Sequence, residues 1–421
     1  MKFKIINTST LNLFFRFLTL GAKMLLSFFV LKYISEADFG IYNMIAKTLT
    51  LAIVLLGLDF YTYSQRNILQ GEKDEQGQKI RDQFAFYIFN YIIFLPLLSL
   101  VFFLDILSWE YIMWFYLLLV LDHFTQELYR VLLVFKKPVI ASALFFIKVG
   151  LWIFPLFTLW ILGYNDFMNI QSILSFWTLF ELIALLFGLF FFVKLPFKID
   201  FKKPINKEWI KKGLLISLPF FIGTIASNVI EYSDIYMIKA HFELEGDTQV
   251  GIYSFFVGMG NIVQMFVQSA ILIVFAPKLL ESFSKDKLKY NKLHSQMTKQ
   301  NIVASAGIAL VVFIFLYPLV QFLDKTSIAE NYNLIYLLVG AKVLFNISMI
   351  YHYHLYVRHQ DKSIIMSMVL AAIANVILNL ILIPIYGIYG AGIATFISFV
   401  MILTLKFIFA KKVIREELTH K

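Results

Sequence analysis

LFFRFLTLGAKMLLSFFVL, residues 13–31, is an apolar run long enough, as a helix, to cross the roughly 30 Å of a bilayer's hydrocarbon, yet it carries Arg16 and Lys23. A cation at the hydrocarbon centre costs about 2.5–3.5 kcal/mol on insertion scales. Two of them in one span call for a reason, and the rest of the chain supplies the context.

Of 421 residues, 60% are hydrophobic and only 15% are charged, where a soluble domain carries about 25% charge. The apolar residues come in blocks near the ~20 residues that one helical crossing needs. The chain therefore reads as an all-α, polytopic membrane protein. Barrel strands are short and alternate apolar with polar residues, which excludes a membrane β-barrel. With no cysteine, there is neither a disulfide framework nor a Cys-based metal site. No small-residue cleavage site follows the first apolar run, so that run reads as a retained span.

Twelve spans are expected, at 10–33, 39–66, 82–104, 109–134, 138–162, 170–194, 212–239, 249–276, 300–323, 331–357, 363–383 and 387–410. Pro96, Pro155, Pro219 and Pro318 fall inside spans, which bundles tolerate when neighbours satisfy the freed backbone. Basic residues set the orientation. Lys194, Lys198, Lys202, Lys203, Lys207, Lys211 and Lys212 follow span six, and Lys278, Lys285, Lys287, Lys289, Lys292 and Lys299 follow span eight. Lys32, Lys239 and Lys325 fall on the opposite side. Both termini are thus expected in the cytoplasm, with the protein in the cytoplasmic (inner) membrane. The formal charge of +10 is a topology signal with some attraction to anionic lipid, and no nucleic-acid partner is expected. The longest outer loop, HFELEGDTQ (241–249), leaves no extramembrane domain for soluble chemistry, so the protein is not expected to be an enzyme and no catalytic residue is assigned.

The chain repeats itself. DFGIYN (38–43) opens span two and QVGIYS (249–254) opens span eight, half a chain later. Pro96 in span three and Pro318 in span nine fall at similar places in their halves. The economical reading is two six-helix bundles, 1–200 and 201–421, as parallel repeats joined by the basic connection 194–212.

SDIYMIKAHFELEGDTQVGIYS (233–254), LKYISEADFGIYN (31–43) and IPIYGIYGAGIATFISF (383–399) resemble segments of the O-antigen and capsular repeat-unit (Wzx-type) flippases, of the MOP superfamily that includes MATE exporters and the lipid II flippase. The resemblance covers the whole chain in length and span count. It implies two lobes in a V around a central cavity that opens alternately to either side. The implied substrate is a polyprenyl (undecaprenyl)-diphosphate-linked oligosaccharide, moved outward for surface polysaccharide assembly. Polysaccharide polymerase machinery is then a candidate partner, beside membrane lipid.

Arg16 and Lys23 lie seven residues apart, on one helical face and about 10 Å apart along the axis. Lys47, Lys148 and Lys342 also fall inside spans. Charges at membrane depth face an interior or a wet cavity and mark ligand or ion pathways. A diphosphate suits them, since arginine grips two oxygens and lysine offers a mobile point charge. Cations on helices one and two line the cavity of the lipid II flippase, and Arg16, Lys23 and Lys47 fall on the corresponding spans. Span eight departs from that pattern, with Asn261, Gln264 and Gln268 in place of a cation. Snorkelling to headgroups is the other reading of Arg16, and neutralising a neighbouring carboxylate is the other reading of Lys148 and Lys342.

The carboxylates within spans are Asp59, Asp122, Glu127, Glu181, Glu231 and Asp234, candidates for gating or for coupling to a proton or sodium gradient. DHFTQELYR (122–130) puts Asp122, Gln126 and nearly Arg130 on one face. A structural Glu127–Arg130 pair and a packing or capping Asp234 are the plainer readings. YHYHLYV (351–357) looks like a metal pair, but its histidines two apart point in opposite directions on a helix, so neither metal nor cofactor is expected. GIYGAG (387–392) follows no strand and reads as a tight turn with close helix packing. A MATE-like multidrug exporter is the competing function, and a membrane polysaccharide polymerase a more distant one.

Overall fold

The structure, a computed structural model, describes residues 8–419, and no strand occurs among them. The first six long helices are α1 (Thr8–Phe29), α2 (Glu36–Gly57), α3 (Lys73–Leu98), α4 (Ile112–Val134), α5 (Pro138–Phe146 and Ile153–Ile161, joined by a π-turn at Ile147–Leu151) and α6 (Ile170–Phe192). They are followed by α7 (Lys207–Phe242), α8 (Gly246–Val267 and Ile273–Lys285, around a π-turn at Gln268–Leu272), α9 (Lys287–Leu323), α10 (Leu334–Tyr356), α11 (Asp361–Tyr386) and α12 (Ile388–Thr419). Ten helical stretches are long and apolar enough to cross a membrane. One of these, Lys207–Lys285, holds both α7 and α8. Helix α4 falls outside the ten because Asp122, Glu127 and Arg130 interrupt its apolar run. The chain is a multi-pass membrane protein, and lipid-length helices explain the exposed apolar side chains such as Ile92, Met113 and Ile314.

Side-chain caps start several helices. Ser35 accepts from the Asp38 N–H at 3.0 Å, Asn169 from Ser172 at 2.9 Å and Asp286 from Lys289 at 3.0 Å, each satisfying an orphan donor of a first turn.

Three features depart from the expected spans. Span two is broken: α2 stops at Gly57, Leu58 and Asp59 take left-handed backbone at φ 46° and 50°, and a short helix Tyr61–Gln70 follows. The cause is tertiary, since Phe60 is buried among Tyr63, Phe86 and Trp209. The loop predicted at 241–249 shrinks to one 3-10 turn, Glu243–Glu245, braced by Lys239 Nζ to Asp247 Oδ2 at 2.5 Å. Finally, α3, α9 and α12 extend past their apolar runs as polar helix.

The chain divides into two compact units, Met1–Phe221 and Ile222–Lys421, with the division inside α7 just after Pro219. In the first unit α4 packs on α6 and α1 on α5; in the second α12 packs on α10 and α11, and α8 on α10.

Within the first unit, the basic connection is strapped to α3. The Arg81 guanidinium donates to the carbonyls of Asp200, Lys203 and Pro204, and Asp82 accepts from the Asn206 N–H at 3.1 Å. Trp209 and Gly213 of α7 then pack on Phe60 and Tyr63.

Candidate functional site

The break after Gly57 carries Asp59 into a cavity of about 220 Å³ inside the first unit. Lys23 of α1, Asp122, Gln126 and Arg130 of α4, Phe145 and Lys148 of α5, and Tyr61 line it with Asp59. Lys148, on the π-turn of α5, forms an ion pair with Asp122 and donates to Gln126 Oε1 at 3.3 Å. Arg130 pairs with Glu127 one turn earlier on α4 and lies over the Tyr61 ring at 3.6 Å. The other oxygen of Glu127 accepts from Gln83 at 2.8 Å and Tyr87 at 3.2 Å. Glu127 is therefore fully bonded, the arrangement of a structural carboxylate.

Lys23 differs from these. It is half-buried, its Nζ stands 5.7 Å from the Phe145 ring, and no ion pair reaches it among the described residues. Its charged neighbours are cations, Lys47 of α2 and Lys148. Arg16, two turns away on α1, is exposed and does not line the cavity. Glu181 of α6 is fully buried, with neither carboxyl oxygen hydrogen-bonded among the described residues, and Lys148 and Asp122 are its charged neighbours.

In the second unit, Lys342 of α10 is buried and its Nζ lies 3.0 Å from Glu231 of α7. Lys148 and Lys342 thus each have a carboxylate on a neighbouring helix. Asp234, 2% exposed, has hydrogen-bond donors in place of a cation. Tyr253 of α8 and Thr395 of α12 donate to its Oδ2 at 2.5 Å each, and Asn379 of α11 donates to its Oδ1 at 2.6 Å. Asn375, one turn before Asn379, accepts from Ser233 at 2.7 Å.

Sequence reasoning named Asp234 but missed Asn375, Asn379, Tyr253 and Thr395, which gather from three helices. The one available signal was the i, i+4 pair of asparagines inside an apolar span. Arg130 and Gln126 as cavity residues were foreshadowed by their shared face with Asp122.

A bundle of twelve long apolar helices, with a charged cavity in one unit and a bonded carboxylate deep in the other, has the architecture of membrane transporters. The sequence matches the polysaccharide biosynthesis protein family over residues 7–283, and the chain belongs to that family. No curated protein sequence matches it. Among solved structures, an inward-facing multidrug resistance MATE family transporter of the MOP superfamily superposes with a TM-score of 0.73 at 13% identity, over 95% of this chain and 98% of that one. The lipid II flippase MurJ, in an inward closed conformation, gives 0.70 at 14% identity, over 96% and 87%. A Vibrio cholerae MATE transporter, VcmN, gives 0.62 at 14% identity, over 97% and 98%. The chain has the fold of this superfamily.

Proposed function

We propose that the protein is a flippase that moves a polyprenyl (undecaprenyl)-diphosphate-linked oligosaccharide repeat unit across the cytoplasmic membrane, by alternating access, for assembly of a surface polysaccharide. Family membership supports the pathway, and the fold shared with a lipid II flippase supports the cargo class. The observation that carries the reading is Lys23: a cation without a carboxylate partner in the wall of a cavity. With Lys148 held by Asp122 and Arg130 by Glu127, Lys23 is the lining cation left to take a phosphate oxygen, and the two paired cations stand ready as further donors. A volume near 220 Å³ lies below that of sites for drug-sized ligands; it suits the headgroup phosphates, with the sugars and the prenyl chain outside it. In this reading both termini are cytoplasmic and the flipped lipid passes to a polysaccharide polymerase.

Energy enters through the second unit. The Asp234 cluster offers a carboxylate with amide and hydroxyl oxygens from four helices, the hard donors that suit an alkali cation, and a buried carboxyl also carries a proton. Coupling to a sodium or proton gradient is assigned to it.

A multidrug exporter is the second reading, favoured by Asp59 and Asp122 in the same cavity as Lys23 and by the likeness to MATE transporters.

Binding of undecaprenyl diphosphate to the purified protein in nanodiscs, wild type against Lys23→Gln, separates the two. A fall of tenfold or more in the folded variant supports the flippase. Equal binding by both sinks the role of Lys23, and binding of a cationic dye in place of the lipid moves the protein to the exporters.

A further inference from the structure

Lys406 of α12 is 2% exposed and lies on the stripe of Phe399, Ile402 and Ala410, all buried. The i, i+3, i+4 spacing of these four points them into the second unit. An ammonium taken out of water is costly unless it is paired and hydrogen-bonded. The same unit shows such pairing at Lys342, which has Glu231 at 3.0 Å. The two lysines bracket one aromatic pair, Phe345 and Phe399 with centroids 5.3 Å apart: Lys342 stands 5.3 Å from the Phe399 ring and Lys406 5.9 Å from the Phe345 ring. Lys406 has no carboxylate and no hydrogen bond among the described residues.

His352 of α10 shares the vacancy. Lys406 is the charged group that acts on it, and its Nδ1 is buried without a hydrogen-bond partner. An anionic oxygen would satisfy both, accepting from the ammonium and from an N–H at Nδ1.

Depth narrows the ligand. Lys406 lies one turn, about 6 Å, before the point where the apolar run of α12 gives way to Lys411, Lys412 and Arg415. That is close to headgroup level and far from the hydrocarbon centre. By the positive-inside rule it belongs to the cytoplasmic leaflet.

We propose that Lys406 and His352 form a phosphate-binding site in the second unit, filled by the phosphate of a membrane-resident lipid. The source is an anionic phospholipid headgroup or the diphosphate of a polyprenyl lipid, and only the second source rests on the flippase reading.

The test uses the full chain in phosphatidylcholine nanodiscs, as wild type, Lys406→Met and His352→Gln, in two arms. The first adds phosphatidylglycerol and reads the melting midpoint and the lipid retained in native mass spectrometry. The second adds undecaprenyl diphosphate and reads its Kd. Lys406→Met removes a lone buried charge for an apolar chain of similar length, so it is expected to fold at least as well as wild type. A phosphatidylglycerol-induced rise in midpoint that is lost in Lys406→Met and reduced in His352→Gln assigns the site to phospholipid. A Kd weakened tenfold or more in Lys406→Met assigns it to the polyprenyl diphosphate. Failure of undecaprenyl diphosphate to bind wild type counts against the flippase, and the phosphatidylglycerol arm then decides the site alone. Should Lys406→Met misfold, His352→Gln, which keeps the ammonium, carries the same comparison. Variants indistinguishable from wild type in both arms overturn the proposal.

Discussion

Thr395 of α12 donates to Asp234 of α7 at 2.5 Å across 161 residues of sequence, and Tyr253 and Asn379 close on the same carboxylate. Three donors around one buried anion make the charge itself part of the packing. Asp234→Asn replaces one acceptor oxygen with a donor that faces other donors, so it is expected to cost about 1–3 kcal/mol, read as a lower melting midpoint. Thr395→Val removes one donor and is expected to cost about 1 kcal/mol. If Asp234 holds the coupling cation, sodium raises the wild-type midpoint and leaves that of Asp234→Asn unmoved. A sodium response that survives in the variant removes the coupling role.

Lys148 and Asp122 form the complementary case, a buried pair between α5 and α4. Removing one partner strands the other, so Lys148→Met alone is expected to cost about 3–5 kcal/mol. Lys148→Met with Asp122→Asn is expected to recover most of that loss. The double-mutant cycle measures it, and additive single effects, within about 0.5 kcal/mol, would show that the pair does not act as one.

Much of this architecture was legible because it is written locally. Apolar runs of bilayer length marked all twelve helices, and the i, i+4 face of Asp122, Gln126 and Arg130 anticipated one wall of the cavity. The alternatives kept open for Lys148 and Lys342 resolve into ion pairs, because a carboxylate on the next helix cannot be seen from one helix's sequence. The break at Leu58–Asp59 was illegible for the same reason. It depends on Phe60 seating against Trp209 of α7, and local propensity would have continued the helix. The Asp234 cluster needed three dimensions, since its donors come from α8, α11 and α12.

The turn between α11 and α12 was readable from GIYGAG, and it gives a graded glycine test. Gly387 sits at φ +57°, a Cβ on Gly390 would meet the Leu382 carbonyl oxygen at 2.2 Å, and one on Gly392 would meet Leu334 Cδ1 at 2.7 Å. Backbone cannot yield as a side chain does. Gly390→Ala is therefore expected to destabilise by about 1–3 kcal/mol or more, and Gly392→Ala by less. Gly307 of α9 has open space around its Cβ position, so Gly307→Ala is expected to be neutral or to stabilise by up to about 1 kcal/mol. Melting midpoints of the three purified variants check the order, and a Gly390→Ala protein as stable as wild type would refute the close approach.

Arg81 ties the basic connection to α3 through the carbonyls of Asp200 at 2.5 Å, Lys203 at 2.7 Å and Pro204 at 3.0 Å. These bonds lie in a segment with few apolar contacts, the kind of region that opens without global unfolding. Arg81→Ala leaves three carbonyls to water and removes the guanidinium that holds Asp82 at 2.6 Å. The expected result is local: faster tryptic cleavage at Lys198, Lys202 and Lys203, with a small change in the melting midpoint. Arg81→Lys, one ammonium in place of a planar fork, should fall between the two. Trypsin sensitivity equal to wild type in Arg81→Ala would show that Asp82 and the packing of Trp209 hold the connection without the arginine, and a collapse of the midpoint would show that the strap belongs to the core of the first unit.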